Sequence, residues 1–357
     1  MYPGFNYAFG NQLVSGYNTN EYANKDITWE STTTLNIGTD LSFSFLGGSV
    51  DINFDWYRKD TDKILLGLPI PLIVGLSPSE TNAGKVRNQG WEFLLSYKNN
   101  SHDLGYKIGF NLSDVKNEVV DLAGLNPIIG SNNDILKEGY PIWAPYGWQS
   151  NGLFKDQADI DASPKQPNSA NIKPGDIKFV DRNNDGVVND DDRYVMDSSF
   201  PRYTFGLNTE FTYKGFDLVA FFQGTPLSHV YLTGSVNDGP QFQNAATTRF
   251  LDRWSPDNPN HNASMPRITA DKNYNNTFAN DFWLRDAKYV RLKNLQIGYN
   301  FKETFLNKFG TSALRIFVAG TNIFTLSNME SGLDPESGAG ANYPTLSTYT
   351  IGMDIKF

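Results

Sequence analysis

A twelve-residue acidic stretch, Asp181 to Asp192, has the residue types and spacing of a calcium-binding loop. Side chains whose oxygens could bind the ion stand at loop positions 1, 3, 5, 9 and 12, on Asp181, Asn183, Asp185, Asn189 and Asp192. Gly186 occupies the sixth position, where such loops turn sharply, and Val187 would offer its backbone carbonyl at the seventh. Position 12 is Asp rather than Glu, and its shorter side chain would weaken binding.

A second interpretation of this stretch needs no ion. Asp and Asn side chains often accept hydrogen bonds from their own backbone, so an Asx-rich turn can satisfy itself. No helical pattern flanks the stretch, which argues against a paired EF-hand. Ca²⁺ is therefore a candidate cofactor, and the calcium site and the ion-free turn both stay open at this point.

Other chemistry-bearing patterns are scarce. The chain has no Cys, which excludes disulfides, thiolate metal sites and cysteine nucleophiles. It contains no phosphate-binding Gly-rich loop, no HExxH and no evident Ser-His-Asp arrangement. Asp334 and Glu336 could be assembled into a glycosidase pair, but nothing in the sequence singles them out. The formal net charge of -9 argues against a nucleic-acid partner. The sequence thus predicts a protein that is not an enzyme and does not bind nucleic acid.

Aromatic residues occur in the long polar stretches of the chain, where they could meet a ligand. The candidates are Trp143, Tyr146, Trp148, Tyr231 and Phe242. Such rings could stack on sugars, or they could pack one loop against another. Packing is the favoured interpretation.

The elements that must position these residues are predicted to be strands, because apolar residues recur with period two. Between Leu35 and Phe45, and again between Val50 and Trp56, apolar residues alternate with polar ones across a Gly-Gly turn. Further alternating segments cover 91–97, 106–112, 203–213, 216–222, 294–300, 314–318 and 349–357, with a weaker candidate at 148–154. These amount to roughly ten strands, many near the ~9–11 residues that a tilted barrel strand needs to cross a bilayer.

The connections between these strands alternate in length. Tight turns contrast with long polar stretches at about 113–147, 155–200, 224–282 and 326–346. Outer-membrane barrels show this alternation, with short periplasmic turns and long extracellular loops. Tyr203 and Tyr213 also bracket one apolar strand face, as rings at two headgroup levels would. Period two alone equally fits a soluble β-sandwich whose apolar face is its core.

Two membrane-related features are missing from the chain. No run of 18 apolar residues exists, so a spanning helix is not expected. The first ten residues lack the charged start and apolar core of a signal peptide. If the protein is exported, the sequence is expected to be incomplete or fused to something upstream.

The final segment alternates and ends on an aromatic residue. Its outward positions would be Tyr349, Ile351, Met353, Ile355 and Phe357. This pattern looks like the recognition signal of outer-membrane barrels, whose assembly machinery engages an aromatic-ended last strand.

Several stretches together resemble one family, the SusC/RagA-like TonB-linked outer-membrane proteins of Bacteroidetes. They are ITWESTT at 27–33, NAGKVRNQGWE at 82–92, PGDIKFVDRNNDGVVNDDDR at 174–193, 201–224, RWSP at 253–256, DAKYVRLKNLQIGY at 286–299, LRIFVAGTNIF at 314–324 and GLDPE at 332–336. The resemblance implies a 22-stranded barrel with a plug in the outer membrane, importing oligosaccharides or peptides with a SusD-like lipoprotein and energised through TonB.

The chain departs from that family pattern in what it lacks. Signal peptide, TonB-interacting segment, plug and the first half of the barrel are not found in it. About ten strands cannot close so large a barrel, and an open edge in lipid would leave backbone groups unpaired. Residues 1–357 are therefore expected to be the C-terminal portion of the barrel, an all-β antiparallel transmembrane segment with long extracellular loops. The alternatives are a secreted or surface β-sandwich that binds glycans and a hydrolase on a β scaffold.

Overall fold

The computed structural model describes residues 2–18, 24–67, 73, 75–77, 79–100, 103–130, 133–196, 200–233, 248–269, 275–301, 311–338, 342–343 and 345–357. Within them, nine long strands form one sheet. We number these strands β1 (Ser31–Phe45), β2 (Gly48–Asp62), β3 (Lys85–Asn99), β4 (Leu104–Asp121), β5 (Tyr203–Tyr213), β6 (Phe216–Leu227), β7 (Tyr289–Asn300), β8 (Ala313–Ser327) and β9 (Thr348–Lys356).

The remaining elements are short and lie outside this sheet. A separate hairpin joins Tyr2–Phe9 to Gln12–Asn18. Short strands cover Leu65–Gly67, Glu80–Asn82, Ile128–Ile129, Asp134–Leu136, Ala144–Gly147, Ser150–Leu153, Ile177–Phe179, Tyr194–Val195, His229–Tyr231 and Leu284–Asp286. One α-helix, Gln157–Asp161, and 3-10 turns at Ser169–Asn171, Asp190–Asp192, Thr248–Asp252, Asn275–Thr277 and Asp281–Trp283 complete the described part. No helix in that part is long and apolar enough to cross a membrane.

Each strand of the sheet pairs antiparallel with the next one in the chain, from β1 to β9. Two of the tight turns are built by residues with positive φ. Leu46 and Gly47 have φ of 46° and 74°, and Lys214 and Gly215 have φ of 47° and 93°. Such mirror-image turns match the right-handed twist of the flanking strands, so two residues suffice to reverse the chain.

The register gathers the alternating apolar residues on one side of the sheet. One row crosses eight strands and contains Leu41, Ile52, Leu95, Phe110, Leu207, Phe222, Leu292 and Phe324. We call this side the apolar face and the opposite side the polar face. Ile351 on the apolar face of β9 is 82% exposed, and among the described residues no second sheet covers this face. The β-sandwich alternative is therefore wrong for the described part of the chain.

Aromatic residues mark two levels on the apolar face. Trp56 pairs with Trp91 near one end of the sheet, where Tyr203 also lies, and Tyr213 lies near the other end. The ten residue-to-residue steps from Tyr203 to Tyr213 extend about 34 Å at ~3.4 Å each. A strand tilt of about 40° reduces this height to roughly 26 Å, close to the ~25 Å apolar band of outer-membrane barrels. Between the two levels, the described positions on the apolar face carry no charged residue.

The long connections all leave the sheet at one end, beyond Trp56 and Tyr203, which we take as the extracellular end. The sequence predicted only long polar stretches here, but the structure contains short strands and a buried core in them. Residues from 148–188, 230–287 and 329–333 share one buried core that includes Phe179, Trp254 and Trp283. The predicted strand near 148–154 belongs here too, since Ser150–Leu153 pairs with Ile177–Phe179 rather than with the sheet. We call residues 122–202, 228–288 and 328–347 the loop layer.

Candidate functional site

The loop layer is attached to the polar face of the sheet, not to the apolar face. Val86 of β3 and Val119 of β4 are paired polar-face residues beyond the aromatic level. Both are buried together with Leu122 and Leu136 of the loop layer. The main chain of 139–140 also pairs with Val119 through two hydrogen bonds of 2.9 and 2.8 Å. The loop layer therefore lies on the polar face, which would face the lumen of a closed barrel.

A buried arginine joins the last long connection to the same face. Arg291 of β7 donates from its Nη2 to Asp334 Oδ1 at 2.7 Å and from its Nη1 to Glu336 Oε2 at 2.8 Å. Its Nε donates to Thr325 Oγ1 of β8 at 2.7 Å, and Lys293 reaches Glu336 at 2.8 Å. Since the guanidinium is almost fully buried, these carboxylates are its counter-charges. We call this group the Arg291 cluster.

The electrostatics of the Arg291 cluster do not suit glycoside hydrolysis. Burial alone would raise the pKa of Asp334, but hydrogen bonds from Arg291 and from the backbone of Glu336 and Thr345 lower it to about 2. A glycosidase needs one carboxyl whose pKa is raised so that it can act as an acid. Asp334 instead stays ionised beside an arginine that it shares with Glu336. The arrangement is that of a structural clamp.

A second buried polar network holds the loop layer together internally. The carboxylate of Asp176 is fully buried and lies 2.7 Å from Arg267 Nε. It accepts hydrogen bonds from Asn276 Nδ2 at 3.0 Å and from the backbone N–H of Lys173 at 2.9 Å. Burial raises the pKa of Asp176, and the Arg267 guanidinium works against that rise. The Asp176 carboxylate thereby ties the segment 173–176 to Arg267 and to Asn276.

A cavity of about 520 Å³ lies where β4 changes partners at the extracellular end. On the membrane side of the cavity, the backbone N–H of Val115 donates to the carbonyl of Arg202 at 3.0 Å. On the extracellular side, the backbone N–H of Val119 donates to the carbonyl of Tyr140. Between these points, Asn117 donates to Asn88 at 2.8 Å and accepts from the backbone of Ile142 at 2.8 Å. The volume of the cavity falls in the range of small-ligand pockets. Apolar side chains and amides line the cavity together.

Most of the calcium-loop residues lie at the surface of the loop layer, and their side chains accept hydrogen bonds from their own backbone. Asp181 Oδ1 and Oδ2 accept from the N–H groups of Asn184 and Gly186 at 2.6 and 2.7 Å. Asp192 is buried and accepts from the N–H groups of Arg182 and Asn189 at 2.7 and 2.9 Å.

The other predicted ligands of this loop are engaged in the same way. The side chains of Asn183, Asp185 and Asn189 accept from N–H groups two residues on, at 2.7 to 2.9 Å. Val187 pairs with Lys165 in an isolated bridge. In the described part of the chain, no three His, Cys, Asp or Glu side chains form a group that could hold a metal. The geometry contains the Asx turns, and calcium binding stays a prediction.

Of the aromatic residues proposed for sugar stacking, Trp148 is committed to packing. It is buried and stacks on Phe179 with ring centroids 5.5 Å apart. Tyr146 lies under the guanidinium of Arg193 at 4.4 Å. Trp143 is 41% exposed, and Phe242 lies outside the described residues.

The residues predicted as the barrel-assembly signal stand together on the outer edge of the sheet. β9 pairs with β8 only, among the described strands, and places these side chains on the apolar face. All of them are exposed: Tyr349, Ile351, Met353, Ile355 and Phe357. The placement suits the predicted role, which stays a prediction.

Sequence reasoning missed the Arg291 cluster. The partners of Arg291 are 43 and 45 residues away in the chain, so no local spacing connects them. Arg291 itself occupies an ordinary alternating position of a strand. Only the pairing of β7 with β8 brings the following connection back onto it.

The chain matches a known protein family and several known proteins. The model of the TonB-dependent receptor-like β-barrel matches residues 2–327. TonB-dependent receptor P3 of Formosa agariphila is 29% identical over 98% of the chain and 36% of its own length. TonB-dependent receptor SusC of Bacteroides thetaiotaomicron is 26% identical over 98% of the chain and 34% of its own length.

The solved structures agree with the fold. The structure of the RagAB peptide transporter superposes with a TM-score of 0.73 at 20% identity, covering all of this chain and 38% of the other. This chain spans about a third of the length of the curated relatives it matches. The family's proteins reside in the outer membrane, which agrees with the predicted location. The family match extends over most of the nine-stranded sheet and its loop layer, and the chain belongs to the TonB-dependent receptor-like β-barrel family.

Proposed function

We propose that the protein carrying this chain imports oligosaccharides or peptides across the outer membrane in a TonB-energised step, and that residues 1–357 are the C-terminal portion of its barrel. The observation that carries the proposal is the loop layer bound to the polar face, where it would border the mouth of a closed barrel. The names of the relatives, which are receptors and transporters, support an import role rather than an enzymatic one.

A SusD-like lipoprotein is the proposed partner at the extracellular end. The related RagAB is named as a two-component peptide transporter, and SusC is a further relative. The loop layer offers a folded surface, because its core is internally packed and its short strands are paired. TonB contact is assigned to a part of the protein other than the nine-stranded sheet, and the outward residues of β9 are proposed to engage the barrel-assembly machinery.

The import proposal is tested by deleting the gene in the source cell and measuring uptake of labelled oligosaccharides and labelled peptides. One of the two substrate classes should cease to enter, and dissipating the proton gradient should stop its uptake in the wild type. Arg291→Met should lower uptake while the protein stays in the outer membrane. Unchanged uptake of both classes after deletion would refute the import role.

The partner proposal needs a separate measurement. Affinity purification of the tagged protein from detergent-solubilised outer membranes should recover a lipoprotein. Variants that unfold the loop layer, such as Trp283→Ala, should lose it. Recovery of the receptor alone from wild-type membranes under mild detergent would contradict the proposal.

A further inference from the structure

Charged residues on the apolar side of the sheet are confined to one sector. Along β5 to β9 the apolar-face positions carry none. On β2, β3 and β4 they appear only at or beyond the aromatic level marked by Trp56 and Trp91, where Asp114 of β4 lies opposite Trp91. These three strands have 15, 15 and 18 residues, so their ends rise past the bilayer at the extracellular side. The sector thus presents a charged wall directly above lipid.

The row nearest the membrane in this sector is basic. Arg58 of β2 and Lys116 of β4 both lie opposite Gln89 of β3, one outward position above Trp56 and Trp91. Arg202, just before β5, lies 5.2 Å from the ring of Tyr203 at the aromatic level itself. The side chains of these three cations are 40%, 50% and 48% exposed. We call Arg58, Lys116 and Arg202 the basic row.

Carboxylates accompany the basic row but do not saturate it. Asp60 lies 2.7 Å from Arg58, Glu118 lies 2.8 Å from Lys116, and Asp114 lies 2.9 Å from Arg202. Asp60 is shared with Arg87 of the next row, also at 2.7 Å. The four cations therefore exceed the three carboxylates by one charge. A guanidinium has five N–H donors and an ammonium three, so each cation keeps donors for a further anion.

We propose that the basic row binds the phosphate groups of phosphorylated lipids in the outer leaflet. Phosphate is the anion found at this height, immediately above the aromatic residues that mark the headgroup level. Arg suits it because its fork of donors matches phosphate oxygens. The acyl chains of the same lipid would lie on the apolar face below, beside Trp56, Trp91 and Tyr203. The inference rests on the outer-membrane location alone and is independent of what the protein imports.

Native mass spectrometry of the detergent-purified protein tests this binding. The probe is diphosphoryl lipid A, with its dephosphorylated form as the comparison. The double variant Arg58→Gln with Lys116→Gln removes two cations and should weaken binding of the phosphorylated lipid by about fivefold for each lost cation. Raising the salt concentration should also weaken it. Binding of the dephosphorylated lipid should already be weaker in the wild type and should not change in the variant.

The polar face supplies a matched control. Lys98 and Lys107 form a register pair there and are both exposed, so Lys98→Gln with Lys107→Gln removes the same charge from the other side of the sheet. This control should bind diphosphoryl lipid A like the wild type, and Arg58→Lys should retain most of the affinity. Millimolar inorganic phosphate should not displace the lipid, because the site takes a membrane-anchored phosphate. Equal loss in both double variants, equal binding of both lipids, or displacement by free phosphate would overturn the proposal.

Discussion

The loop layer and the nine-stranded sheet use the same apolar residue types in opposite ways. In the loop layer, Trp283 is 1% exposed and its indole N–H donates to Asn276 at 3.0 Å. On the sheet, Ile351 is 82% exposed among the residues that the structure describes. The loop layer folds as a water-soluble domain does, by enclosing its apolar groups. The sheet leaves them outside because lipid, rather than protein, covers them.

Truncating a core side chain should separate the two regions most strongly. Trp283→Ala removes a fully buried ring and should destabilise the loop layer by about 3–5 kcal/mol. Ile351→Ala, a large-to-small change on the apolar face, leaves no protein cavity and should cost under ~1 kcal/mol. Limited proteolysis of the extracellular side measures the first effect, and the yield of folded protein in the membrane measures the second. Similar losses in both variants would break the comparison.

Introducing a charge on the two faces of one strand should produce the next largest difference. Leu207 lies near the middle of β5 on the apolar face, and its neighbour Asn208 lies on the polar face. Leu207→Arg should destabilise the folded barrel by about 2–4 kcal/mol, because the charge enters the hydrocarbon region. Asn208→Arg should be tolerated. Denaturant unfolding in lipid vesicles measures both, and an equal cost would indicate that neither side of β5 meets lipid.

The Arg291 cluster should fail at a defined acidity. The pKa of Asp334 is lowered from 3.8 to about 2 in the folded protein, so its contribution to stability is present above about pH 4 and is lost as the pH falls through about 2. Cleavage of the connection after β8 by pepsin should rise across this window. Asp334→Asn should be cleaved readily at both ends of the window. A wild-type cleavage rate that does not change between pH 4 and pH 2 would contradict the clamp.

The smallest expected effect concerns the acidic loop. If Asp181 to Asp192 binds calcium, isothermal titration should detect weak binding near millimolar Ca²⁺. Asp185→Ala removes one ligand oxygen donor and should abolish that heat, whereas Asp190→Ala, outside the ligand positions, should retain it. Absence of any heat at millimolar Ca²⁺ in the wild type would leave the Asx turn as the whole explanation.

The sheet was largely predictable from the sequence, because apolar and polar residues alternate along a strand wherever one of its faces meets an apolar medium. The alternation at 203–213 coincides with β5, and that at 216–222 lies within β6. The extracellular ends of β2, β3 and β4 were not predictable from the sequence. Beyond Trp56 and Trp91 the apolar face carries charged residues and the polar face includes the buried Val86 and Val119, so the expected alternation is lost although the strands continue.

The loop layer could not be inferred from local patterns, because its contacts are distant in sequence. Trp148 stacks on Phe179, and Asp176 reaches Asn276 a hundred residues away. The short strands there have two to four residues, too few to show a period. The acidic loop could be recognised in the sequence because its residues lie within twelve consecutive positions. The Arg291 cluster could not be recognised, because its residues are 43 and 45 positions apart.

The central claim is that the apolar face of the sheet meets hydrocarbon. Single spin labels can be placed at Leu207→Cys and Asn208→Cys in the membrane-embedded protein, and residues 1–357 contribute no other Cys. The label at 207 should collide readily with membrane-dissolved oxygen and rarely with a water-soluble nickel chelate, and the label at 208 should show the opposite preference. Labels at both positions that favour the nickel chelate, or that are shielded from both reagents, would contradict the account.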